Sequence, residues 1–162
     1  FIVSSEADLE KAISEITKSS EHDYMCEEFV VGREITVGVW ETTNGIVPLA
    51  PSEVLLEAGA NFDYQGKYLG RGSKEITPAD LNSVERKACQ DLALHAHKSF
   101  GCLGYSRTDM ILTNRGPVFI ETNTLPGMTK ASFFPQQLEA EKISFQNFID
   151  ELLVSAENRY HV

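Results

Sequence analysis

The sequence predicts an α+β fold in which an antiparallel sheet is covered by helices. Apolar residues recur at helical spacing in three separate stretches, and two other regions are rich in β-branched and aromatic residues and are interrupted by turn residues. The chain has 162 residues, of which 42% are hydrophobic, so it can bury one core. We therefore expect residues 1–162 to form one compact unit.

The first helix is expected near the amino end. Ser5, with Asp8 three residues later, is typical of a helix start because a serine side chain caps the free N–H groups of the first turn. Apolar residues then follow at helical spacing. This pattern predicts a helix over residues 6–18.

A strand meander is expected next. High β-branched and aromatic content predicts strands over 24–31 and 34–40, with a turn at Gly32-Arg33 between them. Turn residues at 42–45 lead into further strand structure over 46–56. The segment that follows, 57–75, is polar and rich in glycine, and loops of that length are usually functional or mobile.

The second helix is predicted from Thr77-Pro78-Ala79-Asp80, which combines a cap, a first-turn proline and an acidic residue. Gly101 supplies the stop. A last helix is expected to begin at Ser144. The predicted apolar faces are Leu81, Val84, Ala88, Leu92 and Phe100 in the second helix, and Phe145, Phe148, Ile149, Leu152, Leu153 and Ala156 in the last.

Two strands flank the turn Thr113-Asn114-Arg115-Gly116-Pro117, and a loop over 124–134 follows the second strand. A hairpin centred on Arg115 sets Asp109 opposite Glu121 and Arg107 opposite Asn123. Because side chains alternate along a strand, these four share one face. The opposite face, with Met110, Leu112, Val118 and Ile120, is expected to be core.

Two opposed carboxylates repel each other, so Asp109 and Glu121 need a cation, a proton or an arginine between them. Carboxylate and amide oxygens, including that of Asn123, suit magnesium, and Arg107 would stabilise a transferring phosphoryl group. A surface salt-bridge network of Arg107, Asp109 and Glu121 is the alternative. The following loop, 124–129, favours the first reading because its backbone N–H groups and hydroxyls could receive an anion.

Two runs of the sequence, Gly101-Cys102-Leu103-Gly104-Tyr105-Ser106-Arg107-Thr108-Asp109 and Glu121-Thr122-Asn123-Thr124-Leu125-Pro126-Gly127-Met128-Thr129, resemble the carboxy-terminal signature of D-alanine:D-alanine ligases. These enzymes belong to the ATP-grasp superfamily, and the likeness covers nearly the whole chain. The resemblance implies an ATP-grasp fold of which this chain is the second half of the ATP-binding domain plus the substrate- and metal-binding remainder. The start at Phe1-Ile2-Val3, without methionine, agrees with a fragment or a processed chain.

The resemblance also implies roles for individual residues. The magnesium or manganese ligands fall on Asp109, Glu121 and Asn123, with Glu121 bridging two ions. Arg107 matches the arginine that contacts the transferred phosphate. Glu27 and Val30 are implied to contact adenine, and Glu34 the ribose. A closing loop over 62–68 would bring Lys67 near the phosphates and Tyr68 near the first substrate. Contact with the second substrate is implied for Gly127, Ser132 and Phe133. Phe133 departs from the leucine that is commonest at its position.

The implied reaction joins two D-alanines with ATP through an acylphosphate, as a step in peptidoglycan precursor synthesis. The resemblance also implies that an amino-terminal part of the same enzyme supplies the remaining ATP and first-substrate contacts, so we expect the isolated chain to be inactive. A homodimer is compatible with it. Two alternatives stay open: another ATP-grasp carboxylate–amine ligase, with for instance a D-lactate or D-serine acceptor, and a non-catalytic fragment.

Composition excludes other classes of partner. The net charge of -10 would repel nucleic acid and anionic membrane surfaces, and we expect neither as a partner. The sequence has no long apolar run and no leader-like amino end. Its cysteines are three in number and scattered, which fits a reducing cytoplasm. The four histidines are expected to be structural or solvated.

Overall fold

The computed structural model describes residues 1–18, 23–56 and 73–160. Backbone contacts divide the chain into two compact units, residues 1–30 and 31–162. The first unit contains helix α1, Glu6–Ile16, whose N-cap Ser5 accepts a hydrogen bond from the backbone N–H of Asp8. The predicted first helix and its cap are therefore confirmed. The expectation that residues 1–162 form one compact unit stays a prediction.

The strand predicted over 24–31 is wrong, because residues 23–31 have no regular secondary structure. Met25, Phe29 and Val31 are exposed there, so the apolar side chains that suggested a strand do not pack on a sheet face. Strand preference reflects packing against neighbouring strands rather than the backbone alone. The composition of this segment was therefore a poor guide.

The second unit is built on an antiparallel sheet, which confirms the predicted fold class. In its described residues the strands are β1 Arg33–Thr42, β2 Gly45–Pro48, β3 Ser52–Leu56, β4 Ser73–Ile76, β5 Tyr105–Thr113 and β6 Gly116–Asn123. Their order is β4-β3-β1-β5-β6, and β2 pairs with β1 beyond the end of β3. Strand β4 lies where the sequence predicted only loop.

Helix α2, Ser83–Ser99, covers one face of the sheet. It begins later than predicted, because Asn82 rather than Thr77 is the cap: the Asn82 side chain accepts from the Glu85 N–H, and the Glu85 side chain accepts from the Asn82 N–H. The predicted apolar face is also rotated, with Val84 and Phe100 exposed. The core beneath α2 contains Ile35, Val37, Val39, Ala79, Cys89, Ala93, Met110 and Leu112.

Helices α3, Phe133–Ala140, and α4, Phe145–Tyr160, cover the other face. Helix α3 begins inside the segment predicted as loop and was missed, whereas α4 was predicted. Their core is largely aromatic, with ring centroids of Phe134 and Phe148 5.2 Å apart and those of Trp40 and Phe148 5.6 Å apart. No helix in the described part of the chain is both long and apolar enough to cross a membrane.

The β5–β6 hairpin has a tighter turn than predicted, with Thr113 paired to Gly116 and Met110 to Phe119. A β-bulge then inserts Ile120, and beyond it the predicted pairs Asp109 with Glu121 and Arg107 with Asn123 are both present. The expectation that Val118 and Ile120 are core is wrong. They are 36% and 47% exposed, because β6 is an edge strand.

Candidate functional site

The predicted site lies on the sheet face that α3 and α4 cover in part. Across β1, β5 and β6, Thr36 pairs with Asp109 and Asp109 with Glu121, forming one row. In the neighbouring row Gly38 pairs with Arg107 and Arg107 with Asn123. Ser106, Thr108, Met110 and Leu112 alternate with these positions and are buried on the α2 side. The strand period therefore separates the site from the core.

Asp109 is held from two directions. Arg107 donates from Nε to Asp109 Oδ1 and from Nη2 to Oδ2, each at 3.1 Å, which is a bidentate ion pair. The hydroxyl of Thr36 donates a further short hydrogen bond to Asp109 Oδ1. Side-chain exposure is 18% for Arg107 and 20% for Asp109, so the pair is shielded but reachable from solvent.

The side chain of Glu121 is exposed and, within the described residues, makes neither a hydrogen bond nor an ion pair. Arg107 thus neutralises Asp109 and leaves the charge of Glu121 unbalanced. The salt-bridge alternative is realised for Arg107 and Asp109 only. In the described chain Oδ2 of Asp109 accepts only the Arg107 bond, and Oδ1 of Asn123 accepts the backbone N–H of Leu125 at 2.9 Å.

The oxygen donors fit a hard divalent cation. Both oxygens of Glu121 are available, and Asp109 Oδ2 and Asn123 Oδ1 each keep a lone pair, so each of the three side chains can contribute a ligand. No group of three His, Cys, Asp or Glu side chains that could hold a metal is found in the described residues. A cation here would therefore use the Asn123 amide and non-protein oxygens as well as carboxylates.

The loop after β6 folds around Ser132. The Ser132 hydroxyl accepts the Thr129 N–H at 3.2 Å and lies 2.9 Å from the Thr129 hydroxyl. A Cβ on Gly127 would lie 2.9 Å from the same Ser132 Oγ, so a larger residue would crowd this hydroxyl. Phe133, the first residue of α3, has its ring centroid 5.7 Å from the Arg107 guanidinium. Gly127, Ser132 and Phe133 therefore lie on one loop-and-helix element beside Arg107.

The structure describes three of the five residues that the sequence predicts to contact the nucleotide or close over the reactants. Glu34 is half-buried on β1, two residues before Thr36 and hence on the same sheet face. Glu27 is exposed and Val30 half-buried, and both lie in the irregular segment of the first unit rather than on a strand. Lys67 and Tyr68 lie outside the described residues.

Three residues of the site were missed by sequence reasoning. Thr36 supports Asp109, and Gln137 of α3 is fully buried and bonds to the backbone of Thr36 and Gly38. A Cβ on Gly38 would lie 2.6 Å from Gln137 Oε1 and 2.9 Å from the Phe134 ring, so α3 packs directly on this glycine. The alternation Ile35-Thr36-Val37-Gly38-Val39 was a usable signal, because its small and polar members share one face.

Comparison with known proteins gives a consistent result. A family model described as D-ala D-ala ligase C-terminus matches residues 1–154. A D-alanine--D-alanine ligase of Leptospira interrogans is 42% identical over 137 residues, which are 83% of this chain and 39% of that protein. The chain therefore spans about two fifths of the length of this relative.

Solved structures agree with the sequence comparison. The D-alanine-D-alanine ligase of Coxiella burnetii aligns with a TM-score of 0.74 at 25% identity, over 99% of this chain and 42% of that one. The VanG D-Ala:D-Ser ligase of Enterococcus faecalis also aligns with a TM-score of 0.74, at 33% identity, over 89% of this chain and 42% of that one. The fold and the local sequence thus point to the same group of proteins.

Proposed function

The chain belongs to the D-alanine–D-alanine ligase C-terminal family, and from that premise we propose that it forms the metal- and acceptor-binding part of an ATP-dependent ligase that joins two D-alanines. The observation that supports this best is the row Thr36, Asp109 and Glu121 beside Arg107 on one sheet face. It combines oxygen ligands for a cation with a guanidinium that can contact phosphate.

Asp109, Glu121 and Asn123 would hold magnesium or manganese, because the match to the family assigns these positions to the ligands of two ions. Bound there, the cations would neutralise the charge of the ATP phosphates during transfer. Arg107 would contact the transferred phosphoryl group with the N–H groups that its bond to Asp109 leaves over, because a guanidinium has five donors and this pair uses two. The Asp109 carboxylate would keep the arginine aimed across the site.

The proposed reaction has two steps. A carboxylate oxygen of the first D-alanine attacks the γ-phosphorus of ATP and ADP leaves, which gives an acylphosphate. The amine of the second D-alanine, having lost a proton to solvent, then attacks the acyl carbon, and phosphate leaves with the C–O bonding pair while the nitrogen gives up a second proton. Protein groups contribute mainly positioning and charge neutralisation to such transfers, so no covalent enzyme nucleophile is needed.

The element formed by Gly127, Ser132 and Phe133 is proposed to hold the second D-alanine. The Ser132 hydroxyl and free N–H groups at the start of α3 could receive its carboxylate. Glu34 would accept the ribose hydroxyls, Glu27 and Val30 would contact adenine, and Lys67 and Tyr68 would close over the reactants. These assignments follow from the match of sequence positions to the family.

Because the chain corresponds to 39% of its relative in Leptospira interrogans, we propose that an amino-terminal part of the same enzyme completes the site. The isolated chain should then fail to release ADP in a D-alanine-dependent way, and such turnover would contradict this part of the proposal. The reaction would take place in the cytoplasm, where ATP is available and the cysteines stay reduced. A homodimer stays a prediction.

The metal site can be tested without turnover. Calorimetric titration with Mg-ATP should give metal-dependent binding that is lost in Asp109→Asn and Glu121→Gln. Glu157→Gln is a matched control, because Glu157 is an exposed carboxylate on α4. Equal binding by all four proteins would contradict the assignment, and no binding by any of them would favour a non-catalytic fragment.

A D-serine acceptor is the second candidate, because the VanG D-Ala:D-Ser ligase is 33% identical to this chain and aligns with the same TM-score as the D-alanine-D-alanine ligase of Coxiella burnetii. Both acceptors attack through an amine, so the chemistry is unchanged and only the side-chain contact differs. ATP-dependent dipeptide formation by the complete enzyme, measured with D-alanine, D-serine and D-lactate in parallel, separates the candidates. A D-lactate product would contradict both, since its nucleophile is a hydroxyl.

A further inference from the structure

Gln137 is a fully buried polar residue whose whole carboxamide is engaged by the sheet. Its Oε1 accepts the backbone N–H of Gly38 at 2.8 Å. Its Nε2 donates to the carbonyl oxygen of Thr36 and to the hydroxyl of Ser52, both at 2.9 Å. A buried amide with all its bonds made is costly to replace, because any partner left behind is a desolvated polar group.

The carboxamide fills a gap in the hydrogen-bond ladder of β1. On this edge β1 pairs with β3 through Glu34–Thr36 and with β2 through Val39–Thr42. In the connection between β2 and β3, the Leu49 N–H still donates to the Gly38 carbonyl at 2.8 Å, but Pro51 has no N–H to offer. Gln137 supplies one acceptor and one donor there, as a peptide group of a neighbouring strand would.

The two backbone groups that Gln137 binds belong to residues next to the site. Thr36 supports Asp109 with its hydroxyl, and Gly38 pairs with Arg107 on β5. Gln137 lies one helical turn after Phe133, whose ring faces the Arg107 guanidinium. The Gln137 side chain therefore connects two parts of the site. One is strand β1, whose Thr36 hydrogen-bonds to Asp109, and the other is helix α3, which begins beside Ser132.

We propose that Gln137 is a positioning residue of the ligase site. It fixes α3 against β1, and so sets the separation between the Arg107–Asp109 pair and the element that carries Ser132 and Phe133. Its importance for catalysis rests on the proposed function. Its effect on the geometry of Arg107 does not, because that depends only on the contacts described above.

The test uses Gln137→Met, which keeps the side-chain length and volume but loses the amide. Gln136→Leu is the matched control, because within the described residues the side chain of the neighbouring Gln136 bonds only to the carbonyl of Ala131, just before the same helix. Ser52→Ala is a milder second variant that removes one of the three partners of Gln137. Stability to denaturant is measured for every variant, so that general destabilisation is known.

The first readout is the Arg107 Nε–H signal in nitrogen-15 NMR, because this group donates a hydrogen bond to Asp109. Positioning by Gln137 predicts a shifted signal and faster exchange with water in Gln137→Met, a smaller change in Ser52→Ala and none in Gln136→Leu. A residue with only a structural role would alter the Gly38 amide and leave Arg107 unchanged. An unchanged Arg107 signal in folded Gln137→Met overturns the proposal, and if that variant does not fold, an unchanged signal in Ser52→Ala does so.

The second readout is the affinity for Mn²⁺. Loss of a residue that orients the metal ligands typically weakens metal binding by about 10-fold or more. We expect a loss of that size for Gln137→Met. Wild-type affinity in Gln137→Met would overturn the positioning role while leaving the proposed function intact. If the wild-type chain binds no Mn²⁺, the proposed metal site fails, and the NMR comparison still decides the role of Gln137.

Discussion

Asp109 lies directly opposite Glu121 on β5 and β6, and among the residues that the structure describes only Asp109 has a cationic side chain beside it. Arg107 pairs with Asp109, so the negative charge that remains is on Glu121. In the part of the chain that the structure describes, the Glu121 carboxylate therefore lies without a partner beside the Arg107–Asp109 ion pair, and a bound cation would balance its charge.

Thr36 is the first target for mutation. Thr36→Val keeps the shape of the buried side chain but removes the hydroxyl that bonds to Asp109. We expect the affinity for Mn²⁺ to fall by about 10-fold, which is typical for loss of a residue that hydrogen-bonds to a metal ligand. Titration followed by electron paramagnetic resonance measures this. Thr43→Val, in the exposed β1–β2 turn, should bind as the wild type does, and equal affinities in both variants would disprove the role of Thr36.

The ring of Phe133 should interact energetically with Arg107. A double-mutant cycle with Phe133→Leu and Arg107→Met, measured by denaturant unfolding, should give a coupling free energy of about 0.5–1 kcal/mol, the usual range for a cation over an aromatic face. Arg115 in the exposed β5–β6 turn provides the control cycle and should show no coupling with Phe133. A zero value for the Arg107 cycle would mean that the 5.7 Å approach contributes nothing.

Cysteine reactivity should differ sharply within the chain. Cys89 lies on the buried face of α2, and burial raises the pKa of its thiol to about 11. The thiolate is the reactive form, so at mildly alkaline pH iodoacetamide should modify exposed Cys26 and leave Cys89 intact until the protein unfolds. Peptide mass spectrometry before and after denaturation distinguishes the two. Modification of native Cys89 as fast as Cys26 would show that the core opens readily.

His97 should make the fold sensitive to acid. It is fully buried, its Nδ1 lies 2.8 Å from the Ser106 hydroxyl, and its Nε2 is 3.7 Å from Glu41 Oε1, too far for a hydrogen bond. Burial lowers the pKa of His97 from its ordinary value of 6.5, although nearby Glu41 opposes the shift. The folded state thus favours the neutral imidazole, while the unfolded chain takes up a proton near pH 6.5.

The sign of the effect follows from proton uptake. As the pH falls below 6.5, the unfolded state binds more protons at this residue, so the free energy of unfolding should fall, with a slope of at most about 1.4 kcal/mol per pH unit from one group. Urea titrations at several pH values test this. His97→Gln should flatten the slope in that window, whereas His95→Gln, at an exposed position, should keep it. An unchanged slope in His97→Gln would assign the acid sensitivity elsewhere.

The sequence alone determined which residues share the site face of the hairpin. A period of two along each strand, together with one turn of fixed length, is enough to bring Asp109 to Glu121 and Arg107 to Asn123, because both depend on local geometry. The prediction succeeded although the turn is tighter than expected, since the bulge at Ile120 compensates for the difference. Helices α1 and α4 were likewise predictable from their caps and apolar spacing.

Only the tertiary structure decided what lies around that hairpin. Thr36, Gly38 and Gln137 reach the site from a central strand and a distant helix, and no local pattern records a contact across about a hundred residues, as between Gly38 and Gln137 with a separation of 99. The edge position of β6, which leaves Val118 and Ile120 exposed, also depends on the order of strands in the sheet. Local periodicity fixes which way a side chain points, whereas its neighbours depend on how separate elements pack.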